Sequence, residues 1–274
     1  MTGRKSILAL LMLATMTTMA MASDVDWTEA AFSPPAVGEV GAEDEIEDLI
    51  LDLKYGGVEV RWDAVLGLGR SGDPRAIDPL IEALKDKDNQ VRLWAASFLG
   101  DFGDLKAVDP LIEALKDERP SVQLWAATSL VKLGKAEYFN RITAMLDIED
   151  PSLYSEVIMA LGETGDPRAI DPLIEAFNYT DTGDCWEVLP DSECWQVYHF
   201  VVRGLAGFND SRVVAPLLEV LRDGTSENRV LAAQALGNIG DPQAIGALTY
   251  AAQKDEDKEV REAAAEALKK IQAE

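Results

Sequence analysis

Apolar residues recur at helical spacing along most of the chain. Ile77, Leu80, Ile81 and Leu84 form one stripe, and Val91, Ala95, Phe98 and Leu99 form a second. The pair of stripes then returns. DPRAIDPLIEALKDKDNQVRLWAASFLGDFG fills 73–103, and DLKAVDPLIEALKDERPSVQLWAATSLVKLG fills 104–134. A degenerate copy occupies 135–165, the phrase DPRAIDPLIEAF reopens at 166, related copies begin at Asp210 and Asp241, and a diverged first copy fills 42–72. Seven units of 31 residues, with 13 residues inserted in the fifth and one in the seventh, span 42–272. Each unit reads as two antiparallel helices. One hairpin cannot bury its own apolar face, so the copies must stack on a shared core. The expected fold is all-α, a superhelical solenoid of seven helical hairpins.

The punctuation agrees with that reading. In Asp73-Pro74, Asp166-Pro167 and Asp241-Pro242, the Asp can accept from the first free N–H groups, and the Pro stands where a helix needs no N–H of its own. A second Asp-Pro, at Asp78-Pro79, Asp109-Pro110 and Asp171-Pro172, predicts a kink or restart of the first helix. Gly72, Gly103, Gly134, Gly165 and Gly240 close their units, with Asn209 in the fifth; both types take the left-handed conformation at low cost. Small residues in the second helices permit close approach between neighbours. In the last unit, Glu262, Glu266, Lys269 and Lys270 stand where inner units carry apolar groups, as a terminal cap requires.

The phrases AIDPLIEALKD and VRLWAASFLG resemble the short HEAT-like repeat of phycobilisome lyase subunits. The resemblance covers nearly all of 42–272 and implies an α-α superhelix whose second helices line the concave side. It does not imply lyase chemistry, because the same repeat serves many binding scaffolds. Deoxyhypusine hydroxylases use similar repeats with a di-iron site built from several His-Glu pairs. This chain has a single histidine, His199, followed by Phe200, and one imidazole cannot build that site.

Outside the repeats, residues 1–22 read as a secretory signal peptide. Arg4 and Lys5 precede an uncharged apolar run from Ile7 to Ala20, and Ala20-Met21-Ala22 supplies the small residues that a signal peptidase reads. The run is shorter than the roughly 20 residues of a spanning helix. Cleavage after Ala22 predicts an exported protein, secreted, periplasmic or at the cell surface. Residues 23–41, with Pro34-Pro35, read as a flexible tether.

Charge narrows the partners. The formal net charge is −24, and such a surface repels nucleic acid and anionic lipid, which bind through Lys and Arg. The two cysteines, Cys185 and Cys194, are spaced C-x8-C; in an exported chain this predicts a local disulfide rather than a zinc or redox motif.

The sequence shows no catalytic constellation, and neither a cofactor nor a metal site is expected. Two regions stand out as interaction surfaces. At matching places on the second helices stand Arg61, Trp62, Arg92, Trp94, Trp125, Tyr154, Tyr198, His199, Phe200 and Arg229. Stacking in register would align them along the concave wall as anchors for a partner. Trp94 and Trp125 also admit a plainer role, filling space between hairpins. Arg61, Arg92, Tyr154, Tyr198 and Arg229, which follow the buried position, are expected to face an open groove. The second region is the insertion, about 178–196, with Trp186 and Trp195 each following a cysteine. It reads as a recognition loop. Its acids could also hold calcium, although the spacing is not that of an EF-hand. Asn178 and Asn209 fit the N-glycosylation pattern. The expected function is an exported scaffold that binds a protein or peptide on its concave face. An accessory subunit of an enzyme or chromophore-handling complex and a purely structural envelope protein are the alternatives.

Overall fold

The structure is a computed structural model, and it describes residues 42–147, 151–181 and 191–273. The expected signal peptide and tether lie outside the described residues, as does the middle of the insertion. Within the described residues fourteen α-helices form seven successive hairpins. They are α1 (Ala42–Tyr55) and α2 (Val58–Ser71), α3 (Ile77–Ala83) and α4 (Asn89–Phe102), α5 (Val108–Ala114) and α6 (Pro120–Lys132), and α7 (Phe139–Thr143) and α8 (Pro151–Glu163). Then follow α9 (Ile170–Asp181) and α10 (Asp191–Ala206), α11 (Val214–Asp223) and α12 (Ser226–Ile239), and α13 (Ile245–Lys254) and α14 (Lys258–Ala273). Among the described residues the protein is an all-α superhelix of helical hairpins.

The first helix of a unit is built in two steps. Asp73, Asp166 and Asp241 each accept from the backbone N–H two residues on, at 2.8, 2.9 and 2.8 Å. These caps open a single 3-10 turn, such as Pro74–Ala76, and the α-helix restarts at Ile77. Pro79 then falls inside the first turn, where its missing N–H costs no helical bond. The restart predicted from the second Asp-Pro is therefore real and lies just ahead of the proline. At the far end of the units, Gly72, Gly103, Gly134, Gly165 and Gly240 all have φ between 62 and 81°.

The second helices α2, α4, α6, α8, α10, α12 and α14 pack on one another in an unbroken row, whereas successive first helices barely meet. In a curved stack the more closely spaced side is the inner one, so the second helices form the concave side. Their approach is set by one register position. A Cβ on Gly100 would lie 2.8 Å from the Ser129 Cα, one on Gly162 2.7 Å from the Gly204 Cα, and one on Gly237 2.6 Å from the Ala267 Cα. At the Gly100 crossing, the buried Ser129 hydroxyl donates to the Ala96 carbonyl at 2.6 Å, satisfying the one polar group that so close a contact encloses.

The two outer faces of the stack differ. In the last unit the register of Gly237 is held by the exposed Lys269, so the polar face of α14 matches the expected cap. The first unit is less polar on its outside, with Leu51, Tyr55, Val58 and Val60 between 41 and 74% exposed.

Candidate interaction surface

At one register of the second helices, three arginine side chains join neighbouring units. Arg61 on α2 forks onto Asp86 of unit two, Nε to Oδ2 at 2.7 Å and Nη2 to Oδ1 at 2.8 Å. Arg92 repeats this on Asp117 at 2.7 and 3.0 Å, and Arg229 on Asp255 at 2.9 and 2.8 Å. In each case Nη1 donates to a carbonyl of the loop before its own helix: Gly56, Asp86 and Gly224. Planar guanidinium and carboxylate match in two bonds, which is why Arg rather than Lys holds the position. The hydrogen bond to Asp86 raises the Arg61 pKa, and the same cause raises those of Arg92 and Arg229. On the acid side, burial pushes the Asp86, Asp117 and Asp255 carboxyls up. The hydrogen bonds from the arginines and from backbone N–H groups outweigh it and leave all three below the usual carboxylate range.

These pairs correct the expectation of an open groove in the early units. Arg61 and Arg92 are only 6 and 8% exposed and are already clamped, and the Arg229 side chain is nearly as enclosed. Trp94 and Trp125 are 1% exposed. Trp94 stacks on Phe98 with centroids 5.7 Å apart, and every residue from 91 to 100 is buried. Both indoles fill the space between hairpins and leave no face for another molecule. Trp62 is half-buried, its indole N–H enclosed without an acceptor.

Further along, the chemistry of the same register changes. In unit four the Arg position is Tyr154 and, by count, the facing Asp position is Tyr179. Their rings meet edge to face at 6.4 Å. In unit five the position is Tyr198, which lies 6.0 Å from Phe177 and 6.1 Å from Trp195 between ring centroids. Tyr154, Tyr179, Tyr198, His199 and Phe200 are all half-buried, and Trp195 is 36% exposed. Burial raises the Tyr154 phenol pKa, with Tyr179 and Glu175 adding to the effect. The polar link to unit six moves inward, where His199 Nδ1 lies 3.1 Å from Oδ1 of the buried Asn228. Trp62, Tyr154, Tyr198, His199 and Phe200 are thus the predicted residues that keep accessible surface, the last four lying together in units four and five, and Trp195 joins these four from the insertion.

Cys194, in the first turns of α10, is fully buried and disulfide-bonded; Cys185 and Trp186 lie outside the described residues. Among the described residues no group of three or more His, Cys, Asp or Glu is placed to hold a metal ion, and no helix is long and apolar enough to cross a membrane. Open grooves of about 610 and 420 Å³ run between successive first helices, the larger lined by Asp109, Pro110, Glu113 and Lys116. They lie away from the aromatic register.

A profile of HEAT repeats matches residues 46–130, 108–185 and 186–269. The chain belongs to the HEAT repeat family. Among solved structures it is similar to the complex of CpcE and CpcF of phycocyanin lyase from Nostoc, with 22% identity, TM-score 0.50, 91% of this chain and all of that one covered. That likeness supports the fold. Human deoxyhypusine hydroxylase follows at 19% identity and TM-score 0.35 over 85% of this chain and 97% of that one. A designed armadillo repeat protein has 18% identity and TM-score 0.43 over 71 and 99%. No curated protein matches the sequence.

Proposed function

We propose that this HEAT-repeat protein is an exported interaction scaffold whose partner protein docks on the aromatic surface of units four and five, beside the insertion. One observation carries this reading. At three junctions the register is closed by an internal Arg–Asp clamp, and in the middle it holds half-exposed aromatic rings instead. Aromatic side chains that are held in place yet partly open are the type that anchors interfaces, since little rotamer freedom remains to be lost. Trp195, at the described end of the insertion, belongs to this surface. Export rests on the signal-peptide pattern of residues 1–22.

The test is crosslinking with mass spectrometry in the native host, followed by a Trp195→Ala, Phe200→Ala variant. Crosslinks should map to α10 and the insertion, and the variant should lose them while melting like the parent. Crosslinks confined to the first helices would overturn the assignment. The likeness to a two-chain phycocyanin lyase complex supports the second reading, an accessory subunit of a lyase-like assembly. That reading requires a pigment or a stable enzyme partner to co-purify, and a colourless preparation without one argues against it.

A further inference from the structure

One junction of the stack exchanges an apolar pair for a polar one. His199 on α10 and Asn228 on α12 meet across the boundary between units five and six, Nδ1 to Oδ1 at 3.1 Å, and Asn228 is 2% exposed. By count, the same two register positions hold Leu93 with Val122, Leu124 with Leu153, and Val230 with Val260 at three other junctions. The first two of those pairs are at most 4% exposed. The position that Asn228 fills is Val or Leu in every other second helix. An apolar pair packs a junction without desolvating an amide and an imidazole, so cohesion alone does not account for the exchange.

What the pair does fix is the chemistry of the ring. The amide Oδ1 can only accept, so in neutral His199 the proton sits on Nδ1, and Nε2 keeps its lone pair. Asn228 is itself anchored, because its backbone N–H donates to the Thr225 Oγ1 at 3.3 Å and its neighbour Arg229 is forked onto Asp255. Nε2 has no partner among the described residues, and it is not one of their enclosed polar atoms. It therefore opens to solvent, on a half-buried ring whose centroid lies 6.2 Å from that of Phe200. A buried support that sets both the tautomer and the direction of an accessible nitrogen is the arrangement of a preorganised acceptor.

Building on the docking surface proposed above, we infer that His199 is its polar anchor. Nε2 accepts a hydrogen bond from an N–H or O–H group of the partner protein, and Asn228 is the positioning residue that keeps the ring able to accept. The aromatic rings supply contact area to any apolar segment. The acceptor supplies selection, since a partner that brings a carbonyl or carboxylate to that point leaves two acceptors facing each other unpaired.

The chain has one histidine, so each readout reports this site alone. Nitrogen NMR of the whole protein carrying isotope-labelled histidine should show Nδ1 protonated and Nε2 bare, and Asn228→Val should abolish that preference. Diethyl pyrocarbonate, which acylates an accessible unprotonated imidazole nitrogen, should modify His199 in the free protein and spare it in the species crosslinked in the native host. His199→Leu with Asn228→Val rebuilds the apolar pair of the other junctions. It should melt no lower than the parent yet give about tenfold less crosslink at α10. His199→Gln, whose amide oxygen stands in for Nε2, should keep more of that crosslink than His199→Leu. A double variant that melts well below the parent makes the pair a packing element and overturns the inference. So does a ring protonated on Nε2, or equal acylation of the free and crosslinked protein. If crosslinks map to α10 and ignore these variants, only the role of His199 falls. If no crosslink maps there, the docking site itself falls.

Discussion

Units one to three and units four to five solve the same problem at the same register with different chemistry. In the early junctions a side chain on each second helix crosses to the next unit and is consumed by it, the guanidinium forked onto a carboxylate and both nearly out of water. In the middle junctions the side chains are phenols and an indole that pack edgewise and keep part of their surface. A clamp that is fully satisfied internally has nothing left to offer another molecule. Junctions of the first kind are closed to another molecule, and those of the second keep the surface that the proposed docking uses.

The largest effect should come from breaking what the two regions share. Gly162→Leu would force a Cβ to within 2.7 Å of the Gly204 backbone, and overpacking against backbone costs about 3 kcal/mol or more. Urea unfolding should show the loss, with unit four to five contacts opening first by hydrogen exchange. Next comes Asp117→Ala, which strands the buried Arg92 guanidinium and should cost about 3 kcal/mol. By contrast Tyr154→Phe, which keeps the ring contact with Tyr179, should cost less than about 0.5 kcal/mol.

Acid provides a finer contrast. The folded Asp86, Asp117 and Asp255 carboxyls have depressed pKa values. Their contribution is therefore fully present above the unfolded value of about 3.9, and it is lost as pH falls through the lower folded values. The stability gap between the parent and Asp117→Asn should be constant near neutrality and shrink below about pH 4. A gap of the same size at every pH would show that the clamp contributes by packing and not by charge. The most pointed test is a rebuild. Tyr154→Arg with Tyr179→Asp should be more stable than either single change by about 1–2 kcal/mol.

The fold was legible because the repeat is. The 31-residue period, the Asp caps and the closing glycines are local signals, and each maps onto the helix boundary it predicts. The exposure of particular side chains was not, because it depends on how closely one unit lies against the next. Arg61 and Arg92 looked like groove residues when only their own helix was considered. Their burial follows from an aspartate 25 residues downstream, and that constant offset, Arg61 to Asp86 and Arg92 to Asp117, is present in the sequence. Trp94 and Trp125 were undecidable for the same reason, since a helix buried on every side is a property of the stack. The aromatic surface is marked in the sequence only by contrast, as the place where Tyr154 and Tyr179 break the offset.

A periodic assembly has no preferred length of its own; something must tell it to stop. On α14 a long charged side chain, Lys269, stands at the register where Gly100, Gly162 and Gly237 let a neighbouring backbone approach, so it opposes the same close packing on that face. Duplications of hairpins that carry Gly100, Gly162 or Gly237 can therefore be accommodated ahead of the seventh, each new copy finding a glycine to nest against, while a copy grafted onto α14 meets a barrier. The number of hairpins is free to drift in evolution or by design, and the terminator travels with the final one.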